Sequence, residues 1–164
     1  MPICCIIAGR DGAGVWIGSD TLAVNCSVKE NFGPKWVYCQ RNEVQIGAGL
    51  APGGWWIGIA GQIRAKNLIQ VNASRIAACI SAEEILDVVQ TLLINDKWKP
   101  REEPREPLSY AIELIIPDGA KVFTAGGSFG MIECNPKNLA AIGSGTEAAL
   151  GAAHALVNYG CDPQ

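Results

Sequence analysis

The chain has 164 residues, 49% of them hydrophobic and 18% charged, with 19 glycines and a net charge of −3. That length fits one domain able to bury about 70% of its unfolded surface. The charge balance offers no basic field for nucleic acid, and no apolar run reaches the roughly 18 residues of a membrane span.

The seven cysteines are odd in number, scattered and without C-x-x-C spacing, and the single histidine cannot support a Cys/His zinc finger. With no secretory-signal pattern ahead of the first strand, they are expected to be reduced, mostly buried thiols in a cytoplasmic protein.

In chain order, residues 3–9 are apolar and β-branched, Arg10-Asp11-Gly12-Ala13-Gly14 is turn chemistry, and residues 15–18 resume a strand. This predicts a hairpin at the start of the chain. Residues 21–33 are polar and broken. Short strands are expected at 35–40 and 43–50, then a turn at Ala51-Pro52-Gly53-Gly54 and a strand at 55–60. From 62 to 80 the period changes: Ile63, Leu68, Ile69, Ile76 and Ile80 keep to one face of a predicted helix. Ser81-Ala-Glu-Glu is a capping-box sequence opening a second helix to about Asn95.

The segment KWKPREEPREP, residues 97–107, carries three prolines and seven charges and is expected to be an exposed connector. Strands return at 110–116, 121–125, 129–134 and 138–142, with a turn at Pro117-Asp118-Gly119. Gly143-Ser144-Gly145 then leads into a helix from Thr146 to Asn158. Strands, two helices, strands and a last helix make the order of an α+β domain with antiparallel sheets.

Several stretches resemble the proteasome β-type and HslV-like peptidase family of N-terminal nucleophile (Ntn) hydrolases. Cys4-Cys5-Ile6-Ile7 falls on the family's opening Thr-Thr-Ile-Val, and Asp20 on its aspartate. Pro34-Lys35-Trp36 resembles the lysine segment, and Ile57-Gly58-Ile59-Ala60-Gly61 the Gly-Phe-Ala-Gly strand end. Residues 139–156, LAAIGSGTEAALGAAHAL, resemble the Ala-Ile-Gly-Ser-Gly turn and the helix after it. Together they cover nearly the whole chain in order. The resemblance implies one Ntn-hydrolase domain over residues 1–164, a four-layer αββα sandwich of two antiparallel sheets flanked by helices. The chain departs from the pattern in two places. The threonine nucleophile is absent, with Met1-Pro2-Ile3 ahead of its position, and at Gln164, where the sequence stops, the resemblance leads to an expectation that the family's last helix and strand are lacking.

Such enzymes use the α-amine of the mature first residue as general base for that residue's own side chain, and an α-amine titrates near ~8. A cysteine is chemically acceptable as the nucleophile. The resemblance therefore implies Cys4 as the nucleophile once residues 1–3 are removed. Self-cleavage after Ile3 is hindered by that residue's β-branch. Cys5 is expected on the opposite strand face. The resemblance also makes Asp20 and Lys35 the acid–base pair that lowers the nucleophile's pKa. It makes Gly58 the oxyanion N–H donor and places Ser144 beside the amine. Each has a plainer reading as well: strand cysteine, turn-capping aspartate, surface lysine, bulge glycine and helix N-cap. His154 is expected to be a half-exposed helix residue. Trp55, Trp56 and Trp98 are expected to pack, or to line a subunit interface.

The mechanism requires no metal or organic cofactor. The implied partners are other copies of the chain in a ring, stacked rings in some members, an ATP-dependent unfoldase, and unfolded polypeptide as substrate. Two rival functions remain at this stage. One is a catalytically inactive structural subunit that keeps the fold. The other is a small-molecule amidase with an N-terminal cysteine, whose members usually expose the cysteine directly after the initiator methionine.

Overall fold

The structure, a computed structural model, describes residues 6–10, 15–19, 22–25, 28–31, 34–40, 54–96, 112–118, 121–134 and 139–158. Side chains are described at 17–19, 34–40, 54–96, 112–118, 121–134 and 139–155. Strand pairing throughout is antiparallel, and the fold is α+β.

The opening hairpin forms as expected. β1 (Ile6–Arg10) pairs with β2 (Val15–Ser19) from Ile6↔Ser19 to Arg10↔Val15. The polar stretch that follows contains a second hairpin, β3 (Leu22–Asn25) with β4 (Val28–Asn31). Asparagine, lysine and glutamate are depleted in strands, so composition conceals a pairing that a two-residue connection makes local.

β5 (Trp36–Cys39) and β6 (Trp55–Gly61) follow, and the strand expected at 43–50 lies outside the described residues. The helix expected over 62–80 is two helices, α1 (Ile63–Val71) and α2 (Ala73–Ala77). They part at Asn72, whose backbone leaves helical values (φ −103, ψ 22) and whose side-chain amide donates to the carbonyl of Leu68 at 2.8 Å. Asparagine competes for backbone groups in this way, which is why it breaks helices. Because α2 stops at Ala77, Ile80 leaves the buried face and is 62% exposed.

Ser81 caps α3 (Ala82–Asn95), its hydroxyl accepting from the N–H of Glu84 at 3.3 Å. The connector at 97–107 lies outside the described residues. β7 (Ile112–Asp118) runs through the predicted turn, and Pro117 pairs with Val122. Proline is tolerated there because the β6 ladder ends at the Gly58↔Ile115 pair, so no bond on that side needs its missing N–H. β8 (Lys121–Ala125), β9 (Met131–Glu133), β10 (Ala140–Ile142) and α4 (Thr146–Asn158) complete the chain order.

The sheets are β10-β1-β2, β3-β4 and β5-β6-β7-β8-β9. α1 to α3 pack on one face of the five-stranded sheet, and β1 and β10 pack on β7 and β8. α4 lies against β10 and β1. Side-chain alternation divides the core accordingly. Ile112, Leu114 and Ile116 of β7 join the helix-side core with Ile85 and Val89 of α3, whereas Ile115 points the other way to meet Val122, Ala140 and Ile142. A continuous apolar run such as 112–116 is what a strand buried on both faces requires.

Candidate active site

Of the five candidate residues, Cys4 and Asp20 lie outside the described residues, as does Cys5; Lys35, Gly58 and Ser144 are described. The three-stranded sheet sets the frame. Ile6, the first residue of β1, stands opposite Ser19 at the end of β2 and opposite Ile142 at the end of β10.

Lys35 sits at the bend that opens β5 and is half-buried. Its backbone N–H donates to the Ser19 hydroxyl at 3.0 Å, and its carbonyl accepts from the N–H of Ile59 at 2.8 Å. The first bond joins the end of β2 to the five-stranded sheet, and the second extends the β5–β6 ladder. Lys35 therefore belongs to the same end of the molecule as Ile6 and Ile142.

Gly58 is buried in the middle of β6, opposite Trp36 on one side and Ile115 on the other. Successive peptide groups along a strand point to opposite neighbours. Since the N–H of Ile59 goes to Lys35, the N–H of Gly58 points toward Ile115. The amide that the family resemblance assigns to an oxyanion therefore lies on the β7 side of the strand.

Ser144 is exposed in the turn between β10 and α4. The first α-helical bond runs from the N–H of Ala149 to the carbonyl of Gly145. The cap position therefore falls to Gly145, and Ser144 lies one residue outside it. Gly143 adopts φ +99, a region that favours glycine, and both its peptide groups are held. Its carbonyl accepts from the Thr146 hydroxyl at 2.7 Å and its N–H donates to Oε2 of Glu113 at 2.7 Å.

Glu113 is the residue that sequence reasoning missed. It precedes an apolar run on β7 and reads as a solvent-facing strand residue. It is indeed exposed, yet it shares a strand face with Ile115, which is buried between the sheets, and its carboxylate reaches the Gly143 N–H.

The tryptophans divide as alternation requires. Trp55 is buried on the helix side, its indole N–H donating to the carbonyl of Cys79 at 2.9 Å. Trp56 faces the other way, 38% exposed, with its ring centroid 4.6 Å from those of Trp36 and Tyr38. Trp98 lies outside the described residues, and His154 is exposed on α4. Cys39 and Cys134 are free thiols, and the Cys79 thiol donates to the carbonyl of Arg75. Burial, and then the neighbouring Cys79, pushes Cys39 up to about 11. Burial likewise raises Cys134, opposed by a hydrogen bond with Thr124. Among the described residues no three His, Cys, Asp or Glu side chains gather as a metal-ligating group. Among them, too, no helix is long and apolar enough to cross a membrane.

No protein-family model and no curated protein matches the chain. Solved structures do. BPH from Thiobacillus denitrificans in complex with epoxomicin has a TM-score of 0.64 at 20% identity, over 93% of this chain and 79% of that one. Eukaryotic HslV from Trypanosoma brucei has a TM-score of 0.55 at 19% identity, over 93% and 79%. The Anbu (Gly-1) mutant from Hyphomicrobium sp. strain MC1 has a TM-score of 0.59 at 14% identity, over 86% and 60%. Identities this low carry the fold and nothing finer. The chain has a proteasome/HslV-like fold.

Proposed function

We propose that the chain is a subunit of a self-compartmentalising peptidase of the proteasome/HslV kind, hydrolysing peptide bonds through an N-terminal nucleophile. The observation that carries this reading is the convergence at one end of the fold of Ile6, the Ser19–Lys35 bond and the Gly143-Ser144 turn. The contacts of α1–α3, the two larger sheets and α4 support a four-layer αββα sandwich and a single domain.

In this mechanism removal of Met1-Pro2-Ile3 frees the α-amine of Cys4. The amine takes the thiol proton, and the sulfur attacks the substrate carbonyl. The tetrahedral intermediate collapses to a thioester as the peptide amine leaves with a proton. Water then attacks the thioester, returning the proton and releasing the acid. Lys35 lowers the thiol's pKa, Asp20 keeps Lys35 charged, and Ser144 contacts the amine. Gly58 contributes a strand position without a side chain, which allows a polypeptide to come close. No metal or organic cofactor takes part. The substrate in this reading is unfolded polypeptide, delivered in the cytoplasm by an ATP-dependent unfoldase into a ring of identical subunits.

The placement of the Gly58 amide on the β7 side of its strand favours a second reading, a structural subunit that keeps the fold without catalysis. Intact mass of the purified protein, before and after a thiol-reactive peptide vinyl sulfone, separates the two. Loss of residues 1–3 with a single adduct on Cys4 is the expected result. A chain that begins at Met1 or Pro2 and takes no adduct at Cys4 establishes the structural subunit instead.

A further inference from the structure

We infer that Glu113 is a positioning residue for the candidate active site, acting through the backbone of Gly143 to hold Ser144. This rests on the peptidase reading and adds to it a residue that lies outside the motifs quoted for the family resemblance. The geometry is specific. Glu113 sits on β7 opposite Ala60, on the strand face that meets the three-stranded sheet, and its Oε2 accepts the Gly143 N–H at 2.7 Å across 30 residues of sequence. The contact is solvent-exposed, and it is one of two that hold the Gly143 peptide groups. On the other side of Gly143, the Thr146 hydroxyl and N–H converge on its carbonyl at 2.7 and 3.2 Å. With φ at +99 the glycine adopts a conformation that L side chains rarely take, and the two clamps select it.

The residue before Gly143 is Ile142, opposite Ile6 on the strand that starts two residues after Cys4, and the residue after it is Ser144. Glu113 thus ties the five-stranded sheet to the point where the three-stranded sheet hands the chain to α4. Removing it loosens the Gly143-Ser144 turn against the five-stranded sheet that carries Lys35 at the start of β5, and misplacement on the ångström scale is enough to slow an enzyme substantially.

The test compares the full-length protein with Glu113→Ala, Glu113→Gln and the control Glu133→Gln, whose carboxylate pairs with Lys121 between β8 and β9. Two quantities are read: the rate of vinyl sulfone addition at Cys4, and hydrogen exchange of the Gly143 amide by NMR. Glu113→Ala is expected to speed Gly143 exchange and slow addition, each about tenfold. Glu113→Gln, which keeps an acceptor oxygen, should restore both to within about threefold, and Glu133→Gln should change neither. Unchanged exchange in Glu113→Ala overturns the contact. Faster exchange with wild-type addition overturns the positioning role, and so does a glutamine variant as slow as alanine. If the wild-type protein itself takes no adduct while Glu113→Ala still speeds exchange, the peptidase reading falls and the positioning role with it, the contact alone surviving.

Discussion

At the residue scale, two positions, one half-buried and one buried, show how little freedom the β5–β6 region has. Gly54 has φ +106, and a Cβ placed there would lie 2.2 Å from the carbonyl oxygen of Cys39. Gly54→Ala combines backbone strain with a backbone clash and is expected to lower stability by at least about 2 kcal/mol in urea unfolding. A loss under half that figure would show that the turn relaxes. Cys39, fully buried beside it in the ladder, has its thiol raised from 9.0 to about 11 by burial and by Cys79. A raised pKa means that folding favours the protonated form. The stabilisation is complete below pH 9 and is lost as pH climbs from about 9 to about 11. Between pH 8 and 11 the stability difference between wild type and Cys39→Ala should shrink by about 2 kcal/mol. A constant difference would mean that the thiol titrates normally.

At the scale of elements, α3 carries the clearest local code. Ser81 accepts from the Glu84 N–H, and the Glu84 carboxylate accepts at 2.8 Å from the N–H of Ile80, the residue before the cap. Ser81→Ala is expected to cost about 1 kcal/mol. Ile85, fully buried where α3 meets the five-stranded sheet, should cost about 3 kcal/mol when cut to alanine, and more if the cavity cannot collapse. Chemical denaturation of the two variants gives both values, and a ranking with Ser81→Ala the worse would contradict this packing. The Arg64 guanidinium holds the Asp96 carboxylate below its usual range by hydrogen bonding, joining the start of α1 to the end of α3. Arg64 is exposed and Asp96 half-buried, so a pair open to solvent on one side adds little to stability.

At the scale of the whole molecule, the proteasome/HslV-like fold and an exposed aromatic cluster of Trp56 and Tyr38 bear on assembly. Aromatic residues are enriched where subunits meet. The protein should run by light scattering at a multiple of its 17.4 kDa chain mass, and a monomer at micromolar concentration would remove the ring from the proposed function. The candidate site lies where strands from two sheets end together, so its integrity depends on their packing as well as on any one motif.

What the sequence determined by itself was local. Period-2 and period-3.6 patterns, turn glycines and the capping box placed β1, β2, β8, α3 and α4 within a few residues, because each is specified by contacts close along the chain. The order of the quoted motifs was enough to anticipate the fold. It did not reveal the β3–β4 pairing, whose polar residues carry no strand signal, or the break at Asn72, where a side-chain hydrogen bond outweighs helical periodicity. Only the tertiary structure decided the rest of the site. The direction of the Gly58 amide follows from a register set by β5 and β7 together, and the bond from Glu113 to Gly143 joins residues brought close by sheet packing alone. A hydrogen bond depends on distance and direction in space, and across 30 residues of chain neither is encoded in any local pattern.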